Sequence, residues 1–178
     1  MRLVFMGTPE FAVASLQALL DAGHEIAAVY TRMDTPKNRG MKLLPPPVKV
    51  LAQARDIPVF QPKNLRGEET QAQLRALAPD AVIVAAYGRL LPQAVLDVPR
   101  FGCLNVHASL LPKYRGAAPI NACILNGETE SGVTIMQMAA GMDTGDILIQ
   151  REIPIDSDET GGGLFDKLSV LGGELIVH

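Results

Sequence analysis

The chain has 178 residues, of which 48% are hydrophobic and 20% are charged, and its formal net charge is −3. This composition is typical of one globular domain with a full apolar core. The charge excludes a protein that binds nucleic acid over its whole surface, because such surfaces are basic. No apolar run approaches the roughly 18 residues that a membrane helix needs. The two cysteines, Cys103 and Cys123, lack metal-ligand spacing, which favours a reduced, cytoplasmic setting and no bound metal.

Strand signals and helix signals alternate along the chain. Seven apolar runs have the length and composition of strands, at residues 2–7, 25–31, 57–62, 80–87, 101–108, 132–138 and 146–155. Six stretches have helical periodicity or caps, at residues 8–22, 48–55, 68–77, 92–98, 117–126 and from 163 onward. In the first helix we expect Thr8 to be the N-cap and Pro9 to be the first helical residue.

This order of elements predicts an α/β fold. Alternating strands and helices form a Rossmann-like, doubly wound, mostly parallel sheet with helices on both faces. The most apolar run, 80–87, is expected at the centre of the sheet. The run at 146–155 alternates less regularly, and we expect it to form an antiparallel edge. In such sheets, ligands bind beyond the carboxyl ends of the strands.

Residues 32–47 follow neither periodicity and contain three consecutive prolines. A loop of this length inside a compact domain is usually functional. Its acidic residue, Asp34, is outnumbered by basic residues, which are Arg32, Lys37, Arg39 and Lys42. These side chains suit a polyphosphate backbone, so we expect a local contact with nucleic acid here.

Asn105 and His107 lie two residues apart near the end of a predicted strand, so their side chains point to the same face. Asp143 follows the next predicted strand, and we expect all three side chains to share one cleft. An amide, an imidazole and a carboxylate suit acyl transfer to an amine, since one group must stabilise an oxyanion and another must manage a proton. The alternative interpretation places His107 in the core and the other two residues in turns.

Two other motifs suggest different chemistry. MGTPEF at 6–11 places a glycine between a strand and a helix, as phosphate loops do, but a tight turn explains it more simply. MDTGD at 142–146 contains the tripeptide of aspartic proteases, which need two such carboxylates, and the chain has one copy. No serine or cysteine stands beside a base, so the sequence favours direct transfer over a covalent intermediate.

The segment NVHASLLPKYRGAAPI at 105–120 resembles the signature of the formyltransferases that use 10-formyltetrahydrofolate. Three more segments resemble the methionyl-tRNA formyltransferase family, namely FMGTPEFA at 5–12, NRGMKLLPPPVK at 38–49 and GVTIMQMAAGMDTGDIL at 132–148. The resemblance runs from residue 1 to residue 178. It implies a Rossmann-like cytoplasmic enzyme that transfers the formyl group of 10-formyltetrahydrofolate to the free amino group of methionyl-initiator-tRNA.

The resemblance also implies roles for individual residues. The implied catalytic residues are Asn105, His107 and Asp143. Three loops are implied to bind the folate, through Tyr87, Gly88, Arg89, Leu90, Leu91, Ser109, Leu110, Leu111, Pro112, Ala139, Ala140, Gly141 and Met142. Basic residues are implied to contact tRNA, with Arg39 as the principal one, namely Arg32, Lys37, Arg39, Lys42, Lys113 and Arg115.

Family members normally have a second, smaller β-barrel domain that helps to bind tRNA. The chain ends in LFDKLSVLGGELIVH, where helical periodicity continues without a cap. We therefore expect residues 1–178 to be the truncated catalytic domain of a monomeric enzyme. Two alternatives remain: a formyltransferase that acts on an amino sugar nucleotide, and a non-catalytic folate- or nucleotide-binding module. The length of the loop at 32–49 argues against the first, and the complete Asn, His and Asp set argues against the second.

Overall fold

The computed structural model describes residues 1–37 and 42–178. The strands in this part of the chain are β1 (Arg2–Gly7), β2 (Glu25–Tyr30), β3 (Thr35–Lys37), β4 (Lys42–Leu44), β5 (Val59–Phe60), β6 (Ala81–Ala85), β7 (Cys103–His107), β8 (Glu130–Gln137) and β9 (Ile147–Pro154). The helices are α1 (Glu10–Asp21), α2 (Pro47–Ala54), α3 (Glu68–Ala76), α4 (Gln93–Leu96), α5 (Pro119–Leu125) and α6 (Gly161–Ile176). Every strand and helix predicted from the sequence is present within a few residues of its expected bounds.

The main sheet has seven strands in the order β5-β2-β1-β6-β7-β8-β9. The first five strands of this order are parallel to one another. β8 runs antiparallel to β7, and β9 runs antiparallel to β8. The central position of β6 and the antiparallel edge at β9 are therefore confirmed. The reversed direction of β8 was not predicted, and it changes how the chain reaches the candidate site.

Helices cover both faces of this sheet, which confirms the Rossmann-like, doubly wound architecture. Helices α1, α2, α5 and α6 pack on one face, with Leu16 and Leu168 fully buried among them. Helices α3 and α4 cover the other face through Leu74 and Val95. Gly173 lets α6 approach α1 closely, because a Cβ at this position would lie 2.9 Å from the carbonyl oxygen of Ala14. No helix of the described segments has the length and apolar character needed to cross a bilayer.

The start of α1 differs from the prediction. The helix begins at Glu10, its N-cap is Pro9, and no side chain caps it. Thr8 instead uses its hydroxyl group to join neighbouring loops. Its Oγ1 donates to the carbonyl oxygen of Tyr87 at 3.3 Å and accepts from the amide of Arg32 at 3.2 Å. Because Thr8, Arg32 and Tyr87 each follow a parallel strand, this side chain fixes the edge of the sheet where the strands end.

In its described part, the segment 32–47 contains two short strands that its lack of periodicity does not predict. β3 and β4 pair as a short antiparallel ladder in which Thr35 lies opposite Leu44. Next to this ladder, Lys49 Nζ lies 2.8 Å and 3.0 Å from the two carboxylate oxygens of Asp34. The hydrogen bond from Lys49 holds the pKa of Asp34 below its usual value. Arg39 belongs to residues 38–41, which lie outside the described residues.

Candidate active site

A cavity of about 610 Å³ opens at the carboxyl edge of the parallel strands. Its walls include Pro9 after β1, residues 86–91 after β6, the end of β7, and residues 138–143 after β8. The first residues of α5 and α6 close the remaining side. The volume is within the range of sites that hold cofactor-sized ligands. This is the location that the general rule for doubly wound sheets predicts.

Strand β7 places Asn105 and His107 on this cavity. Its alternate residues, Leu104 and Val106, pack into the core beside α1 and α6. Asn105 and His107 therefore point to the other face, and both line the cavity. Asn105 is half-buried, whereas His107 is 7% exposed. The local periodicity of the strand is enough to place these two side chains together.

Asp143 reaches the same cavity by a different route from the one predicted. Because β8 is antiparallel, its last residue, Gln137, lies opposite Leu104 near the start of β7. The loop that follows runs back along β7 and brings Asp143 to the cavity wall. The loop closes tightly at Gly145, where a Cβ would lie 1.6 Å from the carbonyl oxygen of Gln137. The shared cleft is thus observed, but Asp143 does not follow a strand that ends at the carboxyl edge.

The polar contacts within this group define its geometry. Asp143 Oδ1 accepts a hydrogen bond from Asn105 Nδ2 at 3.4 Å. Asp143 Oδ2 accepts from the amide of Gly116 at 2.8 Å and lies 3.7 Å from His107 Nδ1. His107 Nε2 lies 2.9 Å from the carbonyl oxygen of Tyr114. A carbonyl oxygen only accepts, so Nε2 carries a proton and Nδ1 is the ring nitrogen that faces Asp143.

Two of the three loops expected to bind folate line this cavity, at residues 87–91 and 139–142. Within the described part of the chain, the main-chain groups of residues 88–91 form no hydrogen bonds, so they are available to a ligand. Two side-chain atoms of the same loop, Tyr87 Oη and Arg89 Nε, are buried and have no described hydrogen-bond partner. Burial raises the pKa of Tyr87, which keeps its hydroxyl protonated as a donor.

The third expected folate loop, Ser109, Leu110, Leu111 and Pro112, does not line this cavity. Ser109 Oγ donates to the carbonyl oxygen of Lys113 at 2.7 Å, and the amide of Leu111 donates to Thr134 Oγ1 at 3.1 Å. Ser109, Leu110 and Pro112 line a separate cavity of about 230 Å³. The structure therefore places this loop behind the site, and its contact with folate stays a prediction.

The basic residues expected to contact tRNA lie at the surface where the structure describes them. Arg32 packs on the cavity wall, because a Cβ at Gly88 would lie 3.4 Å from its side chain. Lys113 and Arg115 are exposed on the loop that follows β7. Lys113 also forms an ion pair with Glu128 at 3.3 Å. The side chains of Lys37 and Lys42 are outside the description, as is Arg39.

The sequence did not single out two aromatic residues on the cavity wall, Phe11 and Phe165. Their rings meet edge to face, with centroids 5.8 Å apart and an angle of 70° between the planes. Phe11 was detectable, because it lies in the first helical turn after a strand that ends at this edge. Phe165 gives no such signal, since its approach depends on how α6 packs against α1. Together they form an apolar part of the wall.

No cysteine of the chain is placed as a nucleophile. Cys103 and Cys123 are 1% and 2% exposed, and burial raises the pKa of Cys103 to about 12. We expect neither thiol to react with iodoacetamide at mildly alkaline pH in the folded protein, and both to react in denaturant. Mass spectrometry after labelling measures this directly. Rapid labelling of Cys103 in the folded protein would contradict its buried position.

The described residues also include no group of three His, Cys, Asp or Glu side chains arranged to hold a metal ion.

Comparison with known proteins identifies close relatives among curated sequences. The methionyl-tRNA formyltransferase of Geobacter sulfurreducens is 57% identical over 176 residues, which cover 99% of this chain and 56% of that protein. The protein of the same name from Pseudomonas putida strain W619 is 58% identical over 178 residues, which cover 100% and 57%. The chain therefore spans just over half the length of these relatives.

Solved structures confirm the fold and extend the comparison to a related activity. Phosphoribosylglycinamide formyltransferase from Bacillus halodurans has a TM-score of 0.80 and 28% identity, covering 99% of this chain and 92% of that one. Glycinamide ribonucleotide transformylase 1 from Geobacillus kaustophilus has a TM-score of 0.78 and 27% identity, with coverage of 98% and 93%. The family model described as formyl transferase matches residues 1–178. Since that match covers the whole chain, the chain belongs to the formyl transferase family.

Proposed function

We propose that this chain is the catalytic domain of a methionyl-tRNA formyltransferase. It transfers the formyl group of 10-formyltetrahydrofolate to the free amino group of methionyl-initiator-tRNA. The observation that carries the proposal is the convergence of Asn105, His107 and Asp143 on one cavity. The 57% identity to a protein named for this activity supports the choice of methionyl-tRNA as acceptor.

Each polar side chain has a distinct part in the proposed transfer. As the amine nitrogen bonds to the formyl carbon, negative charge builds on the formyl oxygen and the nitrogen must lose a proton. The bond between the formyl carbon and the folate nitrogen then breaks, and the proton lost by the amine passes to that nitrogen as tetrahydrofolate leaves. Asp143 takes this proton, and Gly116 and Asn105 hold its carboxylate in place. Asn105 has a second amide proton, which donates to the formyl oxygen. His107 Nδ1 faces the Asp143 carboxylate and serves as its partner in handling the proton.

The cavity walls fit a folate as the formyl donor. The apolar side chains provide surface for a flat ring system, and the free main-chain groups of residues 88–91 offer donors and acceptors to its edge. Residues 139–142 line the wall next to Asp143. The donor supplies an activated one-carbon group, so no covalent bond to the chain is needed. This agrees with two buried cysteines that are unsuited to nucleophilic attack.

Contacts with tRNA are proposed for the exposed basic residues of the loops that follow β2 and β7. Arg32 lies against Gly88, and Lys113 and Arg115 are exposed on the loop after β7. Lys37, Arg39 and Lys42 carry further positive charge, and the family resemblance implies that they also contact tRNA. Phosphate contacts of this kind are local, which is compatible with a net charge of −3. The second β-barrel domain, the monomeric state and the cytoplasmic location stay predictions.

A transfer assay with alternative acceptors tests the proposal. The chain is incubated with radiolabelled 10-formyltetrahydrofolate and methionyl-initiator-tRNA, an amino sugar nucleotide, or no acceptor. We expect labelled formylmethionyl-tRNA, little product from the amino sugar nucleotide, and no label covalently attached to the protein without an acceptor. The assay is run at low salt, because contacts between basic side chains and tRNA phosphates are stronger there. Transfer to the amino sugar alone, or folate binding without any transfer, would overturn the proposal.

A further inference from the structure

The turn at residues 114–116 contacts both His107 and Asp143 through its main chain. The carbonyl oxygen of Tyr114 lies 2.9 Å from His107 Nε2. The amide of Gly116, two residues later, donates to Asp143 Oδ2 at 2.8 Å. Any shift of this turn therefore moves the hydrogen-bond partners of the imidazole and the carboxylate together. The orientation of the two side chains depends on what holds the turn.

The backbone of this turn has an intrinsically unfavourable conformation, because several of its residues have positive φ angles. Tyr114 has a φ of +56°, in the left-handed region that residues with a side chain rarely adopt. Gly116 has a φ of +85°, and Ala118 has a φ of +58°. A tyrosine stays in this conformation only where its surroundings stabilise it. The contacts of the Tyr114 side chain are therefore the place to look for that stabilisation.

Tyr114 is anchored on the side of the turn away from the main cavity. Its hydroxyl donates to Glu128 Oε1 at 2.6 Å and accepts from Asn126 Nδ2 at 2.9 Å. Lys113 Nζ donates to the other carboxylate oxygen of Glu128 at 3.3 Å. The hydrogen bond from Tyr114, followed by that from Lys113, lowers the pKa of Glu128. Glu128 is therefore ionised at neutral pH, and its hydrogen bond with the tyrosine is charge-assisted.

We propose that Glu128 is a positioning residue, which acts through the Tyr114 hydroxyl to hold the main-chain partners of His107 and Asp143 in place. Glu128 does not line the main cavity and contacts neither of these side chains. Its effect on formyl transfer rests on the proposed function, whereas its effect on the His107 ring does not. Because the hydroxyl group carries the contact, Glu128 and Tyr114 act as one unit.

Four variants separate this role from a purely structural one. Glu128→Ala removes the acceptor, and Tyr114→Phe removes the hydroxyl while keeping the aromatic ring. Glu128→Gln keeps an oxygen that accepts from Tyr114 and is the conservative rescue. Glu174→Ala is the matched control, since it removes an exposed glutamate paired with Arg151 at 3.2 Å, away from the cavity.

The kinetic readout is kcat and KM for 10-formyltetrahydrofolate at saturating methionyl-tRNA. Displacement of catalytic groups by a distant change lowers turnover by roughly 10- to 100-fold. We expect a loss of this size in kcat for Glu128→Ala and Tyr114→Phe, with KM nearly unchanged and most activity kept by Glu128→Gln. The double variant Tyr114→Phe with Glu128→Ala should lose no more than either single variant, because both remove the same bond.

The spectroscopic readout is the side-chain ¹⁵N–¹H signal of His107, followed in the chain itself. The buried Nε2 proton is hydrogen-bonded to the Tyr114 carbonyl oxygen, so it exchanges with solvent slowly enough to be observed. We expect the signal in the parent chain, Glu128→Gln and Glu174→Ala, and its shift or loss in Glu128→Ala and Tyr114→Phe. An unchanged signal with unchanged kcat in both of these variants would overturn the proposal, as would additive losses in the double variant. If the parent chain transfers no formyl group but the signal responds as expected, the positioning role stands and the proposed function fails.

Discussion

Asp143→Asn is expected to lower kcat by roughly 10²-fold or more, which is the usual scale for a general acid–base group. The amide has the same shape as the carboxylate and still accepts from the amide of Gly116, but it does not take up the proton of the amine. Asparagine also tolerates the left-handed backbone of this position, where φ is +49°. The fold and the affinity for 10-formyltetrahydrofolate should therefore be nearly unchanged. Steady-state kinetics at saturating donor measure the effect.

Asp146→Asn is the matched control for this experiment. It makes the same charge change in the same loop, at an exposed residue that does not line the cavity. Asp146 contacts Gln137 through its main chain, which the substitution keeps. We expect near-normal turnover for this control. Equal losses in both variants, or near-normal kcat for Asp143→Asn, would show that Asp143 has a structural role.

Asn105→Ala is expected to reduce kcat by about 10²- to 10³-fold, which corresponds to about 3 kcal/mol for one lost oxyanion donor. The change also removes the hydrogen bond from Nδ2 to Asp143 Oδ1. The main chain of β7 should be unaffected, because its ladder contacts do not involve the side chain. The affinity for 10-formyltetrahydrofolate, measured by fluorescence titration, distinguishes an effect on turnover from an effect on substrate binding. Weaker donor binding with normal kcat would reassign Asn105 to binding.

The sequence predicts the parallel half of the sheet well, because each buried strand is a short apolar run with clear ends. β6 is apolar throughout and lies at the centre, as its composition indicates. The direction of β8 has no comparable local signal, since apolar runs in parallel and antiparallel strands look alike. That direction depends on pairing with β7. For this reason the sequence does not show that the strand before Asp143 ends at the opposite edge of the sheet from the cavity.

Local patterns also miss features that depend on short polar contacts. Thr8 is a residue type that commonly caps helices, but its hydroxyl group forms hydrogen bonds with the main chain of Arg32 and Tyr87 instead. The β3–β4 ladder has three residues in each strand, which is too short to give a periodic signal. Segments this short form where the flanking chain is held, here by the Asp34 contact with Lys49. Periodicity therefore predicts long elements better than short ones.

The candidate site shows the same division. The alternation of β7 alone places Asn105 and His107 on one face, and the position of Asp143 after the next predicted strand indicates it as their partner. The main-chain contacts from Tyr114 and Gly116 have no sequence signal, because they depend on the backbone conformation of one turn. For the same reason, the sequence does not indicate that residues 109–112 turn away from the main cavity while residues 88–91 face it.

A crystal structure of the chain with a stable 10-formyl folate analogue tests the proposed site directly. We expect the pterin ring to contact the main chain of residues 88–91. We also expect the formyl oxygen to lie about 3 Å from Asn105 Nδ2, a normal hydrogen-bond distance, with Asp143 beside the formyl carbon. An analogue bound instead in the smaller cavity beside Ser109 and Pro112, or a formyl group remote from Asn105 and Asp143, would rule out the proposed catalytic site.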